Sequence, residues 1–589
     1  RKEILGVSSR NAVEYGVNIG SPTENEINNS ILLGNLVHLG EQRENNIYLN
    51  KESLKTHTFI CGVTGTGKTT TCQSILLNSK LPFLVIEPAK TEYRALTREL
   101  DDVYYFTLGK QDLSPFFLNP FEIFEGESIT SRVDMIKATM QSSFDMEAAM
   151  PQIIEAAAYD VYKKKGWNIK NSQWTNPATN KLENPFVADS FAFPTLNDFI
   201  ESIESVTKEQ GFGDKMEAEY LGSLKARLQA LLVGAKGMML NTPRSVDFKK
   251  LVTQKVVIEL EEIKDGAEKS LIMGFIITNL LEAVKYQFSI DNKFQHITLV
   301  EEAHRLLSRY EPGDSPNKKR GVEVFADMLA EVRKYGESLI IVDQIPNKMT
   351  PEVLKNTNTK IVHKIFAQDD KEAIGNTMAL NDDQKGYMSY LDRGRAIVIT
   401  EGWKKPALVQ IKQYSYTTGK EEISTDIIKS KSIKYYQNNY ENGVLPNINS
   451  FNKNISEKDI KNYFMFSEDL VFNDLTIIRE LFYVLNNKDT ALDRKYSIEE
   501  IRENIIKDLV NNNRVIKEYI NAGLLDDYIK YLLGRLSVRV NSKEEYLIKK
   551  IIIDIYDIIS KLNISYYTSL GGKNKHELDE AVKEIINEW

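Results

Sequence analysis

One eight-residue stretch constrains this chain more than any other. Residues 62–69 read Gly-Val-Thr-Gly-Thr-Gly-Lys-Thr. Its three glycines allow a tight turn whose backbone N–H groups converge on one point. The residues before it, 56–61, read as a strand, and 69–78 read as a helix. A glycine-rich turn between a strand and a helix is a phosphate cradle, because the helix N-terminus adds partial positive charge to the converging N–H groups. Two more buried strands are expected at 83–87 and 103–108. Strand, helix and strand at this spacing make a βαβ pattern, so the fold class is α/β with a parallel sheet.

The cradle predicts its own chemistry. Gly62, Val63, Thr64, Gly65, Thr66, Gly67, Lys68, Thr69 and Thr70 would hold a nucleotide, with Lys68 on the β- and γ-phosphates and the Thr69 hydroxyl on Mg2+. ATP and Mg2+ are the expected cofactors. Hydrolysis also needs a carboxylate at the end of another strand. Residues 297–304, Ile-Thr-Leu-Val-Glu-Glu-Ala-His, run four strand-like residues into two acids and then a helix start. Glu301 would support Mg2+, through water, and Glu302 would orient and deprotonate the attacking water. Glu259, Glu261 and Glu262, after the strand at 256–260, form a rival set. The strand at 339–342 ends in Asp343 and Gln344. Gln344 is placed to sense the γ-phosphate, with Asp343 as the alternative.

Composition bounds the rest. The 589 residues are 42% hydrophobic and 27% charged, which suits a globular protein of several domains. The net charge of −8 excludes a continuous basic face, so nucleic-acid contact would have to come from local loops or the lumen of a ring. The only two cysteines, Cys61 and Cys72, flank the cradle, which points to a reducing, intracellular, cytoplasmic setting. There is no run of eighteen apolar residues and no secretory leader, so no membrane association is expected. The chain opens at Arg1, and a segment upstream of it is expected.

Along the chain, 1–50 read as the tail of a small β unit plus linker. Residues 51–127 form the first part of the α/β core. Residues 128–245 are a mostly helical insertion whose stretch 166–195 reads as loop. The core resumes at 246–420, and 421–589 read as a separate all-α region.

Four segments resemble one family, in that family's order. They are Gly-Val-Thr-Gly-Thr-Gly-Lys-Thr-Thr at 62–70, Val-Ile-Glu-Pro-Ala-Lys-Thr-Glu-Tyr at 85–93, Leu-Val-Glu-Glu-Ala-His-Arg at 299–305, and 331–346 with Glu-Val-Arg-Lys-Tyr-Gly and Ile-Ile-Val-Asp-Gln-Ile-Pro. Together they look like the HerA branch of the HerA/FtsK ATPases over about residues 30–415. The resemblance implies a RecA-like core and a homo-hexameric ring with ATP between subunits. It also implies double-stranded DNA in the pore and a partner effector such as a nuclease or a sirtuin-like NADase, in anti-phage defence or DNA end processing. It makes 1–50 the remnant of an N-terminal β-barrel. Two positions depart from the family's pattern: Glu301 and Glu87 stand where Asp is usual, each one methylene longer. A conjugation or type IV secretion motor shares these motifs, and an ATP-dependent scaffold is a third reading.

A ring motor needs a cation from the neighbouring subunit. Arg333 is preferred because it lies in a family-like segment, with Arg305, Arg320, Arg395 and Lys334 as alternatives. DNA phosphates would be met by two basic, loop-like clusters, Lys163, Lys164 and Lys165 and then Lys318, Lys319 and Arg320. Residues 455–589 show no catalytic constellation and are expected to dock a partner or rim the ring.

Overall fold

The computed structural model describes residues 29–110, 113–147, 149–176, 181–186, 192–242, 244–414 and 423–439, with His576, Glu580 and Lys583. Expectations for 1–28 and for nearly all of 455–589 lie outside the described residues. Two compact units are present. The first takes in the described parts of Arg1–Pro115, Asp134–Gln152 and Asp247–Ser432, and the second those of Phe116–Val133, Ile153–Val246 and Ile433–Trp589.

The first unit is built on one mixed sheet of eleven strands. In chain order they are β1 (Ser30–His38), β2 (Glu41–Asn50), β3 (Thr58–Cys61), β4 (Phe83–Glu87) and β5 (Val103–Thr107). After three short strands of the second unit, β6 (Trp167–Asn168), β7 (Gln173–Asn176) and β8 (Lys181–Leu182), the sheet resumes. It continues with β9 (Lys255–Glu259), β10 (His296–Glu301), β11 (Glu337–Asp343), β12 (Thr359–Val362), β13 (Arg395–Ile399) and β14 (Ala407–Ile411).

The spatial order is β2-β1-β14-β13-β12-β3-β11-β10-β4-β9-β5. The seven strands from β12 to β5 are mutually parallel, and β13, β14, β1 and β2 extend them antiparallel. This is the RecA-like α/β core expected from the motifs. The parallel strands read as near-continuous apolar runs because both faces are covered. All four residues of β3 and all five of β4 are buried.

Parallel register places the strands' C-terminal ends at one level. Cys61 pairs with Asp343, Val342 with Glu301, and Glu87 with Glu259. Chain connections reverse direction on either side of β3, which makes that edge the natural crevice for a ligand.

The structure differs from several expectations. Residues 30–50 form a hairpin at the edge of the main sheet rather than the end of a barrel, because β1 pairs with β14. The stretch 166–195, read as loop, contains the β6-β7-β8 sheet, in which Trp167 sits opposite Trp174. Trp167 also stacks on Phe193 at 5.5 Å between centroids, so these aromatics form a small core of the second unit. The helix Gly266–Ile290 is long and apolar enough to cross a membrane, but its residues Lys269–Leu281 are buried in the first unit.

Candidate nucleotide-binding site

The glycine-rich loop is held open by specific packing. Gly62, Gly65 and Gly67 take φ of 146°, 79° and 113°, in the region that favours glycine. A Cβ on Gly62 would lie 2.6 Å from the His363 Cβ, so this position also has no room for a side chain. The Val63 N–H donates to the Lys364 carbonyl at 2.9 Å, and the Gly394 N–H donates to the Thr66 carbonyl at 2.9 Å. The Thr66 hydroxyl donates to the Val63 carbonyl at 2.7 Å. His363, buried beneath the loop, meets the Thr71 hydroxyl at 2.9 Å, and burial and nearby Lys68 push its pKa down to about 3. The neutral imidazole is therefore a packing and hydrogen-bonding post. Lys68 Nζ donates to the carbonyls of Gly62 at 2.6 Å and Val63 at 3.1 Å.

The following helix, Lys68–Ser79, has Gly67 as its N-cap, no side-chain cap and no acid in its first turn. Its first N–H groups and its dipole therefore face the crevice, where the carboxylate of Glu92, from the segment after β4, takes the Thr69 hydroxyl.

A cavity of about 630 Å³ opens there, lined by Thr64, Gly65, Gly67, Lys68, Thr69 and Thr70 of the loop and by Glu301, Glu302 and Gln344. Thus strands β3, β10 and β11 bring together the residues expected from the motifs. Gly62, Val63 and Thr66 are not among the residues lining the cavity, and their hydrogen bonds to Lys68, Lys364 and Gly394 anchor the loop.

Glu301, at the end of β10, accepts the Tyr93 hydroxyl on Oε1 at 2.8 Å. Burial pushes its carboxyl up to about 7, against the opposing pull of the Tyr93 hydrogen bond and Lys68. Burial also lowers Lys68, and Glu301 counteracts that shift.

Glu302 does not start an α-helix as expected. It has φ 48° and ψ 44°, and only a short 3-10 turn, Ala303–Arg305, follows. A non-glycine residue there costs on the order of 1–3 kcal/mol and persists only where neighbours hold it. Arg305 does so, with Nε 2.8 Å and Nη2 2.7 Å from Glu302 Oε2.

Asp343, the alternative to Gln344, is buried and works as a clamp. Its Oδ2 accepts the His304 N–H at 2.9 Å and meets His304 Nδ1 at 2.8 Å, while Oδ1 accepts the Gln344 N–H at 2.7 Å. The ends of β10 and β11 are thereby fastened together. Gln344 in turn accepts the Thr64 hydroxyl at 2.9 Å, which links β11 to the loop.

Two of the three rival acids are otherwise engaged. Buried Glu259 takes two bonds of 2.7 Å from Arg94 and one of 2.8 Å from the Thr107 hydroxyl. Glu262 pairs with Lys110 at 2.8 Å, and only Glu261 reaches the cavity wall.

The cations expected to act in trans lie apart from this cavity or are paired. Arg333 is exposed in the 3-10 turn preceding β11, and the seven-residue strand separates it from Gln344 by about 20 Å. Arg395 pairs with Asp392 at 2.9 Å, and Lys334 lies 3.9 Å from Glu331. The basic clusters are helical rather than loop-like. Lys318, Lys319 and Arg320 occupy the first turns of Pro316–Glu331, and Lys163 and Lys164 end Met150–Lys164. Lys318 pairs with Asp314 at 2.8 Å, Lys164 with Asp160 at 2.6 Å and Lys165 with Asp198 at 3.1 Å.

Several cavity residues escaped sequence reading: Lys90, Glu92, Arg94, Arg98 and Arg393. The first four follow β4, in and just beyond the 85–93 segment, whose motif was legible although its chemistry was not. Arg393 stands beside Gly394, which packs on Gly67, and no local motif marks it.

A magnesium nucleotide fits the residues present. The cradle excludes side chains at Gly62, the helix's own first turn carries no acid, and the Thr69 hydroxyl and the Glu301 and Glu302 carboxylates supply oxygens, the ligand type Mg2+ takes together with phosphate.

Known proteins resemble this chain. No protein-family model matches it. It is 31% identical over 162 residues to the DNA double-strand break repair helicase HerA of Sulfolobus acidocaldarius, over 27% of this chain and 31% of that one. It is 24% identical over 434 residues to a probable DNA double-strand break repair helicase HerA of Methanocaldococcus jannaschii, over 68% of this chain and 81% of that one. The match to the Saccharolobus solfataricus HerA covers 47% of that protein, so the chain spans less than half of several of its relatives. Among solved structures, VirB4 of Thermoanaerobacter pseudethanolicus shares the fold, with a TM-score of 0.50 at 17% identity over 69% of this chain and 100% of that one.

Proposed function

We propose that this chain, a HerA/FtsK-like P-loop ATPase, binds and hydrolyses Mg2+-ATP to move double-stranded DNA through a ring of six copies of itself. One observation carries the reading: Lys68, Thr69, Glu301, Glu302 and Gln344, from three neighbouring strand ends, line a single cavity. In this reading Lys68 and the loop N–H groups hold the phosphates. Mg2+, held by Thr69 and approached by Glu301, would neutralise charge on the phosphates. Glu302 takes a proton from the attacking water, and Gln344, tied to Thr64, links the state of the loop to β11.

The similarity to HerA helicases favours DNA as the substrate over the other uses of this motor. A nuclease or sirtuin-like NADase working with the ring, in anti-phage defence or DNA end processing, is the context the same resemblance suggests. Likeness of fold to VirB4 leaves a secretion motor as the competing reading, and the two separate on substrate.

The test is ATP turnover by the purified chain with and without linear duplex DNA, alongside its native mass. DNA-stimulated turnover by a six-copy assembly is expected. Turnover that ignores DNA would replace the motor with an ATP-dependent scaffold, and absence of turnover would overturn the reading.

A further inference from the structure

The segment after β4 grips both groups expected on the magnesium side of the nucleotide. The Thr69 hydroxyl donates to Glu92 Oε2. The next residue, Tyr93, donates its hydroxyl to Glu301 at 2.8 Å. Adjacent residues therefore fasten the hydroxyl of the loop and the carboxylate of β10.

Glu92 is itself fixed from three sides. Its N–H donates at 2.6 Å to Glu87 Oε1, part of a carboxylate fully buried at the end of β4. Its carbonyl accepts Gln73 Nε2 at 3.0 Å, one turn beyond Thr69 on the helix. Lys90 Nζ lies 2.9 Å from its other carboxylate oxygen, Oε1. Glu92 lines the cavity and is not sealed behind it.

We infer that Glu92 is a positioning residue for Mg2+, acting through the Thr69 hydroxyl; the inference rests on the ATP reading above. A hydroxyl has one proton and two lone pairs. When a carboxylate takes the proton, the lone pairs are left for the cation, and the oxygen's basicity rises. Groups that orient a metal's ligands in this way set its affinity, although they do not touch it. Glu301 Oε1 is tied to Tyr93, so the loop's hydroxyl carries more of the cation's orientation and needs a fixed acceptor. Among the described residues no set of three or more His, Cys, Asp or Glu side chains could hold a metal without further ligands. A cation at Thr69 would therefore depend on the nucleotide's phosphates as well.

The experiment titrates Mn2+ into the full chain with a non-hydrolysable ATP analogue and follows free Mn2+ by electron paramagnetic resonance. Glu92→Gln keeps the size and the backbone bonds to Glu87 and Gln73 but removes the charge. Its Mn2+ affinity is expected to fall about 10- to 100-fold, while analogue binding in EDTA stays at the wild-type level. Glu92→Asp should recover part of the loss. Mn2+ affinity equal to wild type would overturn the inference and leave the ATP reading intact. Equal loss of binding in EDTA would overturn it too, by showing that Glu92 only braces the segment. A wild-type chain that binds no analogue would remove both readings together.

Discussion

Arg305 reaches Glu302 with two nitrogens, and both land on the same oxygen, Oε2, at 2.8 and 2.7 Å. The other oxygen, Oε1, makes no hydrogen bond or ion pair among the described residues, and the side chain lines the cavity. The ion pair thus orients the carboxylate without occupying the oxygen that would receive a proton. It also ties Arg305 to its own subunit, which makes it a poor donor of charge to a neighbour.

Glu302→Gln should therefore bind ATP normally and lose about 10²- to 10⁴-fold in turnover, the range for a general base. Arg305→Ala should lower kcat while leaving KM for ATP near wild type, because the base remains but loses its orientation. Steady-state kinetics on both variants check this. An Arg305→Ala enzyme with unchanged kcat would remove the orienting role, and a fully active Glu302→Gln would remove the base.

Much of this site was legible in the sequence, for a physical reason. The loop needs glycine at 62, 65 and 67, the strands need apolar runs, and catalytic groups must stand at strand ends, so each leaves a local pattern. Arg393 left none, because tertiary packing brings it to the cavity, and Glu92 stood in the legible 85–93 segment without a pattern that gave its chemistry. Glu92 opens the 3-10 helix Glu92–Arg98 after β4, and Arg393 reaches the loop only because Gly394 packs against Gly67. The helix read after Glu302 failed likewise. The Asp343 clamp on His304 holds a tight turn there that periodicity cannot foresee. The edge hairpin at 30–50 was missed as part of the main sheet because its partner, β14, lies far along the chain.

Arg333 sits at the opposite end of β11 from the cavity, so it can act on ATP only in another copy of the chain. Arg333→Ala and Glu302→Gln should each cut turnover sharply alone. Mixed, they should recover a fraction of it, because the ring proposed above would then contain interfaces with one intact cavity and one intact arginine. The expected loss for Arg333→Ala in pure form is about 10³- to 10⁵-fold, the range for a trans arginine. No recovery on mixing at any ratio would count against the trans role.

Among the basic residues at the start of Pro316–Glu331, Lys318 is paired with Asp314 at 2.8 Å and Lys319 leans towards Glu323 at 3.7 Å. Arg320 is exposed, with no ion pair among the described residues. Changing all three to Ala should weaken DNA-stimulated turnover more than basal turnover, and Arg320→Ala alone should carry most of that effect. The salt dependence of DNA binding should flatten by about 0.9 in log–log slope for each phosphate that is no longer neutralised. Equal loss of basal and stimulated turnover would refute a DNA-facing role.

Lys360 is a test of the sheet itself. It lies buried in β12, between β3 and β13, and its ammonium donates to the Thr357 carbonyl. Burial pushes its pKa from the usual 10.5 down to about 8. The fold therefore disfavours the cation. Between pH 8 and 10.5 the unfolded chain keeps a proton that the folded chain releases, so stability should rise with pH across that window. Below pH 8 the penalty is fully in place. Lys360→Met removes the charge at similar length, with the loss of one hydrogen bond to Thr357 as the opposing cost. At neutral pH the variant should be more stable by on the order of 1 kcal/mol, and its stability should no longer climb with pH in that window. Denaturation midpoints at about pH 7 and about pH 9.5 for both proteins decide it. A variant that is less stable at neutral pH, or one that keeps the wild-type pH slope, would show that Lys360 is not the group under strain.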